Sequence, residues 1–221
     1  MTGIAPTRVF LVDDHPLVRE WLANLIDQQP DLTVCGEAGS AAAALTAIAA
    51  ARPDVAIVDI TLGGRSGLDL IKDLKLMHPS VAVLVLSMHD EALYAERALR
   101  AGARGYIMKR EVTRKVVLAI RRVQQGRVYL SEQQATHLAE KLVTGATDAS
   151  ESPVTRLSDR ELEIFRLVGQ GRATREIAEA LLLSAKTVQA YYVRIKEKLG
   201  VTNANELMRE AVRWVEGQAG R

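Results

Sequence analysis

Five polar residues stand where apolar runs stop. Asp13 and Asp14 follow VFLV, Asp59 follows VAIV, Ser87 follows VLVL and Lys109 follows GYIM. Two carboxylates about 5 Å apart repel by roughly 3 kcal/mol at an effective dielectric near 20. Something must offset that repulsion. Three carboxylates with spare coordination positions suit Mg2+, a hard ion that keeps several waters and favours phosphate oxygens. The same ion neutralises charge on an incoming phosphoryl group. A carboxylate beside it can attack phosphorus and form an acyl phosphate. The Lys109 ammonium and the Ser87 hydroxyl would then hold the phosphoryl oxygens. A single loop aspartate after a strand is usually a turn former or helix cap, and Asp14 could cap a helix beginning at Pro16. The chemical reading rests on all five groups standing at strand ends together.

The elements that must position these groups follow from the pattern of apolar runs. The runs do not alternate, so they read as strands buried on both faces. Strands are expected at Arg8–Val12, Leu32–Cys35, Val55–Asp59, Val81–Ser87 and Gly105–Met108. Helices are expected at 16–28, 41–51, 67–77, 91–101 and 111–125. Pro16 suits a helix start, and Pro30, Pro53 and Pro79 fall just before strands, where helices should have stopped. Five strand–helix repeats with right-handed crossovers imply an α/β doubly wound five-stranded parallel sheet. Functional groups in such sheets gather at the carboxyl ends of the strands. With the first and third strands adjacent, three carboxylates share one crevice and Ser87 and Lys109 enter from the other side.

A break follows Gly126. The expected organisation is a first domain over 1–126, a linker over 127–156 with a helix at about 131–143, and an all-α domain over 157–221. Ser131 opens the linker helix, with Gln134 three residues on as a capping-box partner. Residues 144–156 are small and polar and read as a flexible linker. Helices are then expected near 159–170, 174–181, 185–199 and 204–216. Ser158 and Ser184 serve as N-caps, and Gly171 and Gly200 as stops.

Composition excludes more than it selects. The 221 residues carry a formal net charge of +2, too small to name a partner. The one cysteine, Cys35, rules out an internal disulfide and reads as a buried strand thiol. No apolar stretch approaches a membrane span, and the N-terminus lacks the pattern of a signal peptide, so a cytoplasmic protein is expected. His15, His78 and His137 show no metal-ligand spacing and read as structural or surface residues.

The second basic signal is local. Wound as a helix, 184–200 collects Val188, Tyr192, Ile195 and Leu199 in one apolar stripe. Lys186, Gln189, Ala190, Val193, Lys196 and Glu197 point away from it, and Tyr191, Arg194 and Lys198 lie on the flanks. Exposed small apolar groups beside a glutamine suit the floor of a DNA major groove, where glutamine pairs with adenine edges and methyls meet thymine. The flanking cations would meet phosphates. The short helix TREIAEALL and the turn LSAK precede it at helix-turn-helix spacing.

Residues 7–125 resemble the CheY-like receiver domain of bacterial response regulators. DDH is similar to the family's acidic pair, VDITLGGRSGLDL to its phosphoacceptor loop, LSMHD to its switch-hydroxyl region and GYIMK to its lysine strand. The resemblance implies that Asp59 accepts the phosphoryl group and that Asp13, Asp14, Asp59 and the Thr61 carbonyl hold Mg2+. Ser87 and Lys109 would bind phosphoryl oxygens, and Tyr106 would rotate inward as Ser87 is drawn to them. Thr61 and His89, two residues beyond Asp59 and Ser87, would influence how fast water attacks the acyl phosphate. Gly63 and Gly64 stand where the family often has proline, so a looser loop is expected.

Residues 157–215 resemble the LuxR-type DNA-binding domain through Glu161, Gly171, Glu176, Ile177, Ala178, Thr187, Val188, Lys198, Leu199 and Gly200. That resemblance implies base reading by Gln189, Ala190 and Val193, and backbone contact by Lys186, Tyr191, Arg194 and Lys198. Tyr191 replaces the usual histidine, and Val193 an often polar residue. Together the halves resemble a NarL/FixJ-type response regulator. What this implies is a non-enzymatic switch that gains and loses its own phosphate at Asp59. Its implied partners are a sensor histidine kinase and promoter DNA, with a homodimer when phosphorylated and RNA polymerase as a further candidate. Alternatives are a Mg2+-dependent aspartyl-phosphate phosphohydrolase and a receiver acting through protein contacts only. A flavin module of the same fold is disfavoured, because Asp13 and Asp14 would repel its phosphate. On the last helix, Leu207, Ala211, Val212 and Val215 fit either a dimer contact or the core of a small domain.

Overall fold

A computed structural model describes residues 5–62, 65–144 and 153–219. The chain divides into two compact units, Met1–Ala139 and Glu140–Arg221. In the first unit β1 (Thr7–Val12), β2 (Leu32–Ala38), β3 (Val55–Val58), β4 (Ala82–Ser87) and β5 (Gly105–Met108) form one parallel sheet in the order β2-β1-β3-β4-β5. Between and after them run α1 (Pro16–Asp27), α2 (Ala41–Ala51), α3 (Gly67–Met77), α4 (Glu91–Ala101) and α5 (Val112–Gln124). β3 and β4 are buried along their whole length, which is why their sequences are apolar without alternation. One core cluster joins Val9, Leu11, Ile57, Leu84 and Ile107 of the sheet to Val116, Ile120 and Val123 of α5.

Side-chain caps set several helix starts. The Ser40, Ser66 and Asp90 oxygens accept from the backbone N–H groups of Ala43, Leu68 and Ala92. β2 runs three residues past its expected end, through Gly36. A Cβ at Gly36 would lie 2.6 Å from the Phe10 ring, so the edge strand needs glycine to pass this side chain, and the pairing shifts register there.

After α5 the chain doubles back onto the sheet. Residues 127–131, read from the sequence as the start of a linker, bond to the β5 edge. Tyr106 N–H donates to the Tyr129 carbonyl and Tyr129 N–H to the Arg104 carbonyl, each at 2.9 Å. Ser131 N–H then donates to Oε1 of the buried Glu91, at the start of α4, at 2.8 Å. The helix α6 (Glu132–Thr144) begins there, and Ser131 Oγ accepts from Gln134 N–H.

The second unit holds α7 (Asp159–Gly169), α8 (Thr174–Ala180), α9 (Ala185–Leu199) and α10 (Ala204–Ala219). Of the expected flexible stretch, 145–152 lies outside the described residues, and Pro153–Arg156 forms a 3-10 turn with Val154 buried. Ser158 and Glu161 form a complete capping box at α7. Leu207 and Ala211 of α10 are buried, Trp214 meets Phe165 at 5.7 Å between ring centroids, and a Cβ on Gly169 would lie 2.3 Å from the Ala211 carbonyl. These residues of α10 are core, packed on α7, while Val212 is half-buried.

Candidate functional site

The first site lies at the carboxyl ends of β1 and β3. Asp13 and Asp59 are 2% and 3% exposed, and Asp14 is half-buried. Asp59 is placed by the sheet, since its N–H donates to the Val12 carbonyl at 2.8 Å. It is also placed by Gly67: an added Cβ there would lie 2.0 Å from the Asp59 carbonyl oxygen. Only glycine lets α3 start this close to the strand end. Arg19 Nη1 donates to the Asp13 carbonyl at 2.6 Å, tying α1 to the acidic pair.

Lys109 Nζ bridges the two buried acids, 2.6 Å from Asp13 Oδ2 and 2.7 Å from Asp59 Oδ2. Burial works to lower the lysine's pKa, but Asp59 and Asp13 outweigh it and hold the ammonium above its ordinary range. Burial pushes the Asp59 carboxyl up to about 6, against the pull of Lys109. Asp59 is therefore a carboxylate near neutral pH, yet more basic than an exposed one. Its Oδ1 accepts from Thr61 N–H at 3.3 Å.

Ser87 is fully buried, and its Oγ accepts from His89 N–H at 3.2 Å. Tyr106 is turned inward and buried, with its hydroxyl donating to the His89 carbonyl at 2.8 Å. Burial raises its phenol well above the ordinary range, so it stays a neutral donor. His89 also meets Thr61, Nε2 to Oγ1 at 2.9 Å, and stacks on Tyr94 with centroids 4.6 Å apart. Thr61, Ser87, His89 and Tyr106 are thus linked through His89, and Thr61 N–H joins the group to Asp59. Gly63 and Gly64, the positions of the loop departure, lie outside the described residues.

The donor set fits a divalent cation. Asp13, Asp14, His15 and Asp59 each offer a ligand atom, all within 4.8 Å of one another. Asp13 Oδ2 and Asp14 Oδ1 are buried oxygens that accept no well-directed hydrogen bond. His15 is exposed, as the sequence reading expects of a surface residue, and its Nδ1 nevertheless lies beside the acids. Spacing rules look for ligands one or more turns apart, whereas His15 follows Asp14 directly and folds back over the pair.

The second site is α9. Val188 and Ile195 are fully buried and Tyr192 and Leu199 half-buried, as the apolar stripe predicts. Lys186, Gln189, Ala190, Val193 and Arg194 are exposed together on the opposite side. Arg194 lies over the Tyr191 ring at 5.6 Å from its centroid. Lys198 differs from the others. Its Nζ lies 2.6 Å from Oε2 of the buried Glu161, the carboxylate that also accepts from Ser158 N–H. Burial works to raise the Glu161 carboxyl, but the bonds from Lys198 and Ser158 hold it below its ordinary value. Lys198 therefore ties α9 to the start of α7, a tie that a reading of α9 alone does not reveal.

The response regulator receiver domain family matches residues 9–121, and the bacterial regulatory proteins of the luxR family match residues 155–211. This chain is a two-component response regulator. It joins a receiver domain to a LuxR-type DNA-binding domain, as in the NarL/FixJ type. It is 38% identical over 88% of both chains to the DNA-binding transcriptional activator DevR/DosR of Mycobacterium tuberculosis. It is 33% identical to the oxygen regulatory protein NreC of Staphylococcus epidermidis, over 93% of this chain and 97% of the relative. Among solved structures it is similar to RcsB from Salmonella enterica serovar Typhimurium bound to promoter rprA in the presence of phosphomimetic BeF3-. There the TM-score is 0.65 and the identity 26%, over 92% of this chain and 97% of RcsB. No helix among the described residues is long and apolar enough to cross a membrane.

Proposed function

We propose that this response regulator is switched by phosphorylation of Asp59 from a sensor histidine kinase, and that the switch controls promoter binding through α9. The observation that carries the reading is the buried Asp13–Lys109–Asp59 bridge beside Asp14, with Ser87 buried at the end of β4, the strand next to β3. Asp13, Asp14, Asp59 and the Thr61 carbonyl would hold Mg2+. Bound there, the ion supplies charge neutralisation for the acids and for the incoming phosphoryl group.

The remaining chemistry belongs to the side chains. An Asp59 carboxylate oxygen forms the bond to phosphorus as the donor's bond breaks, leaving an acyl phosphate on the protein. Lys109 already sits 2.7 Å from that carboxylate, so its ammonium needs only a small shift to meet phosphoryl oxygens. Ser87 Oγ donates from the other side, and Tyr106 fills the space behind it. The β5 edge and the start of α4 move with these groups, and the moved surface favours a dimer. Two copies of α9 then meet paired half-sites of promoter DNA. Gln189, Ala190 and Val193 read base edges, while Lys186, Tyr191 and Arg194 contact the backbone. Lys198, bound to Glu161, acts by holding α9 against α7. The protein works in the cytoplasm and is no enzyme beyond gaining and losing its own phosphate; RNA polymerase is its candidate partner at the promoter.

The test incubates the full chain with a small acyl phosphate and Mg2+. Intact mass, oligomeric state and retention of promoter fragments are followed, with Asp59→Ala alongside. Native protein should gain one phosphoryl mass, dimerise and bind more tightly, and the variant should do none of these. Equal behaviour of the two would overturn the reading.

A further inference from the structure

The cluster that reads in sequence as three carboxylates has a nitrogen donor built into it. Pro16 confines the residue before it to extended conformations, and His15 sits at φ −92°, ψ 108°. Its N–H donates to Asp13 Oδ1 at 2.9 Å, and its carbonyl accepts from Val18 and Arg19 in the first turn of α1. Held at both ends, the residue folds its ring onto the acids. Nδ1 lies 2.7 Å from Asp14 Oδ1 and 3.2 Å from Asp13 Oδ1. Ligands on one octahedral ion with bonds of about 2.1 Å lie about 3 Å apart when adjacent and about 4.2 Å when opposite. The four donor atoms, within 4.8 Å of one another, are near that geometry before any adjustment. The His15 side chain is 65% exposed, so it can turn by that small amount without disturbing the core.

Carboxylates alone suit Mg2+ and Mn2+, whereas an imidazole nitrogen favours first-row transition ions. We propose that His15 is a direct ligand of the divalent ion at Asp13, Asp14 and Asp59, making a mixed nitrogen–oxygen site that prefers Co2+ or Zn2+ to Mg2+. The proposal rests on the reading that these three carboxylates hold a divalent ion. Its consequence is that transition-metal ions compete with Mg2+ at the phosphoacceptor, so that the metal present sets how readily Asp59 is used. The competing role for His15 is positional: Nδ1–H donates to Asp14 and merely orients it.

The two roles separate by experiment on the full chain. Pulsed EPR of the Mn2+-loaded native protein should show the nitrogen coupling of a directly bound imidazole, and His15→Ala and Asp59→Asn should both lose it. In titrations with Co2+ and Mg2+, His15→Ala should weaken Co2+ by about tenfold or more and Mg2+ by less than about threefold. Absence of nitrogen coupling in native protein that still binds Mn2+ would overturn the ligand role alone. So would an equal loss of Co2+ and Mg2+ affinity in His15→Ala. Failure of native protein to bind any of these ions, with Asp59→Asn indistinguishable, would overturn this proposal and the metal reading beneath it together.

Discussion

Gly67→Ala is the sharpest structural probe of the phosphoacceptor. The added Cβ would sit 2.0 Å from the Asp59 carbonyl oxygen and 2.8 Å from Ile60 Cα. Carbon contacts are comfortable at about 3.5 Å, so the overlap exceeds about 1 Å. Both obstacles are backbone, and no rotamer change relieves them. Either α3 backs away and breaks the Gly67 N–H to Ile60 carbonyl bond of 2.8 Å, or the end of β3 moves with Asp59. Overpacking of this kind costs about 3 kcal/mol. A displacement of about 1 Å at a reacting group costs about a hundredfold in rate. The assay pairs denaturant unfolding with intact-mass kinetics under an acyl phosphate and Mg2+. Gly217→Ala is the control: its site on α10 is open, and alanine should stabilise by up to about 1 kcal/mol. A Gly67→Ala protein with native stability and a native rate of phosphoryl uptake would refute the claim that this approach positions Asp59.

Four further outcomes follow from the geometry. Asp59 keeps its proton to about pH 6 when folded, against an ordinary 3.8. The folded state therefore binds more protons than the unfolded chain across that window, and metal-free stability should fall by up to about 3 kcal/mol as pH rises through it. Asp59→Asn should flatten this fall in urea unfolding followed from pH 4 to 7. Lys186→Ala should weaken DNA binding and reduce its salt slope by about one. Lys198→Met should leave the slope unchanged and lower stability by about 1–2 kcal/mol, because Glu161 loses its charged partner. Glu91→Ala should speed amide hydrogen exchange at Ser131 and in the first turn of α6, since it removes the acceptor of the Ser131 N–H, and unchanged exchange would show that the bond holds nothing.

Much of the fold was legible because the signals are local and repeated. Unbroken apolar runs marked the central strands, serines marked the caps of α7 and α9, and Gly200 marked the stop of α9 at φ 70°. Errors fell where one local rule competed with a distant contact. Gly36 and Glu37 look like the end of an apolar run, yet β2 continues through them because Phe10 fills the space a side chain would take. Residues 127–131 carry no strand pattern, yet two backbone hydrogen bonds draw Tyr129 onto the free edge of β5. The side-chain contacts of His15 and Lys198 were not legible for a related reason. Each was judged by spacing along its own element, while its partners are set by how the chain turns or by another helix.

The sequence by itself determined which residues stand at strand ends, which helix carries an exposed Gln189–Arg194 face, and that acids and a lysine meet at one crevice. These follow from periodicity and from the parallel order of strands, which any chain of this pattern must obey. Only the tertiary structure decided that Lys109 bridges Asp13 and Asp59, that His15 joins the acids, that Tyr106 lies inward on His89, and that Lys198 faces Glu161. Such pairings depend on distances of a few ångströms between side chains far apart in sequence, or on the direction a ring takes after a proline-constrained turn. Residue order carries no such distances until the sheet and helices have brought the backbones together.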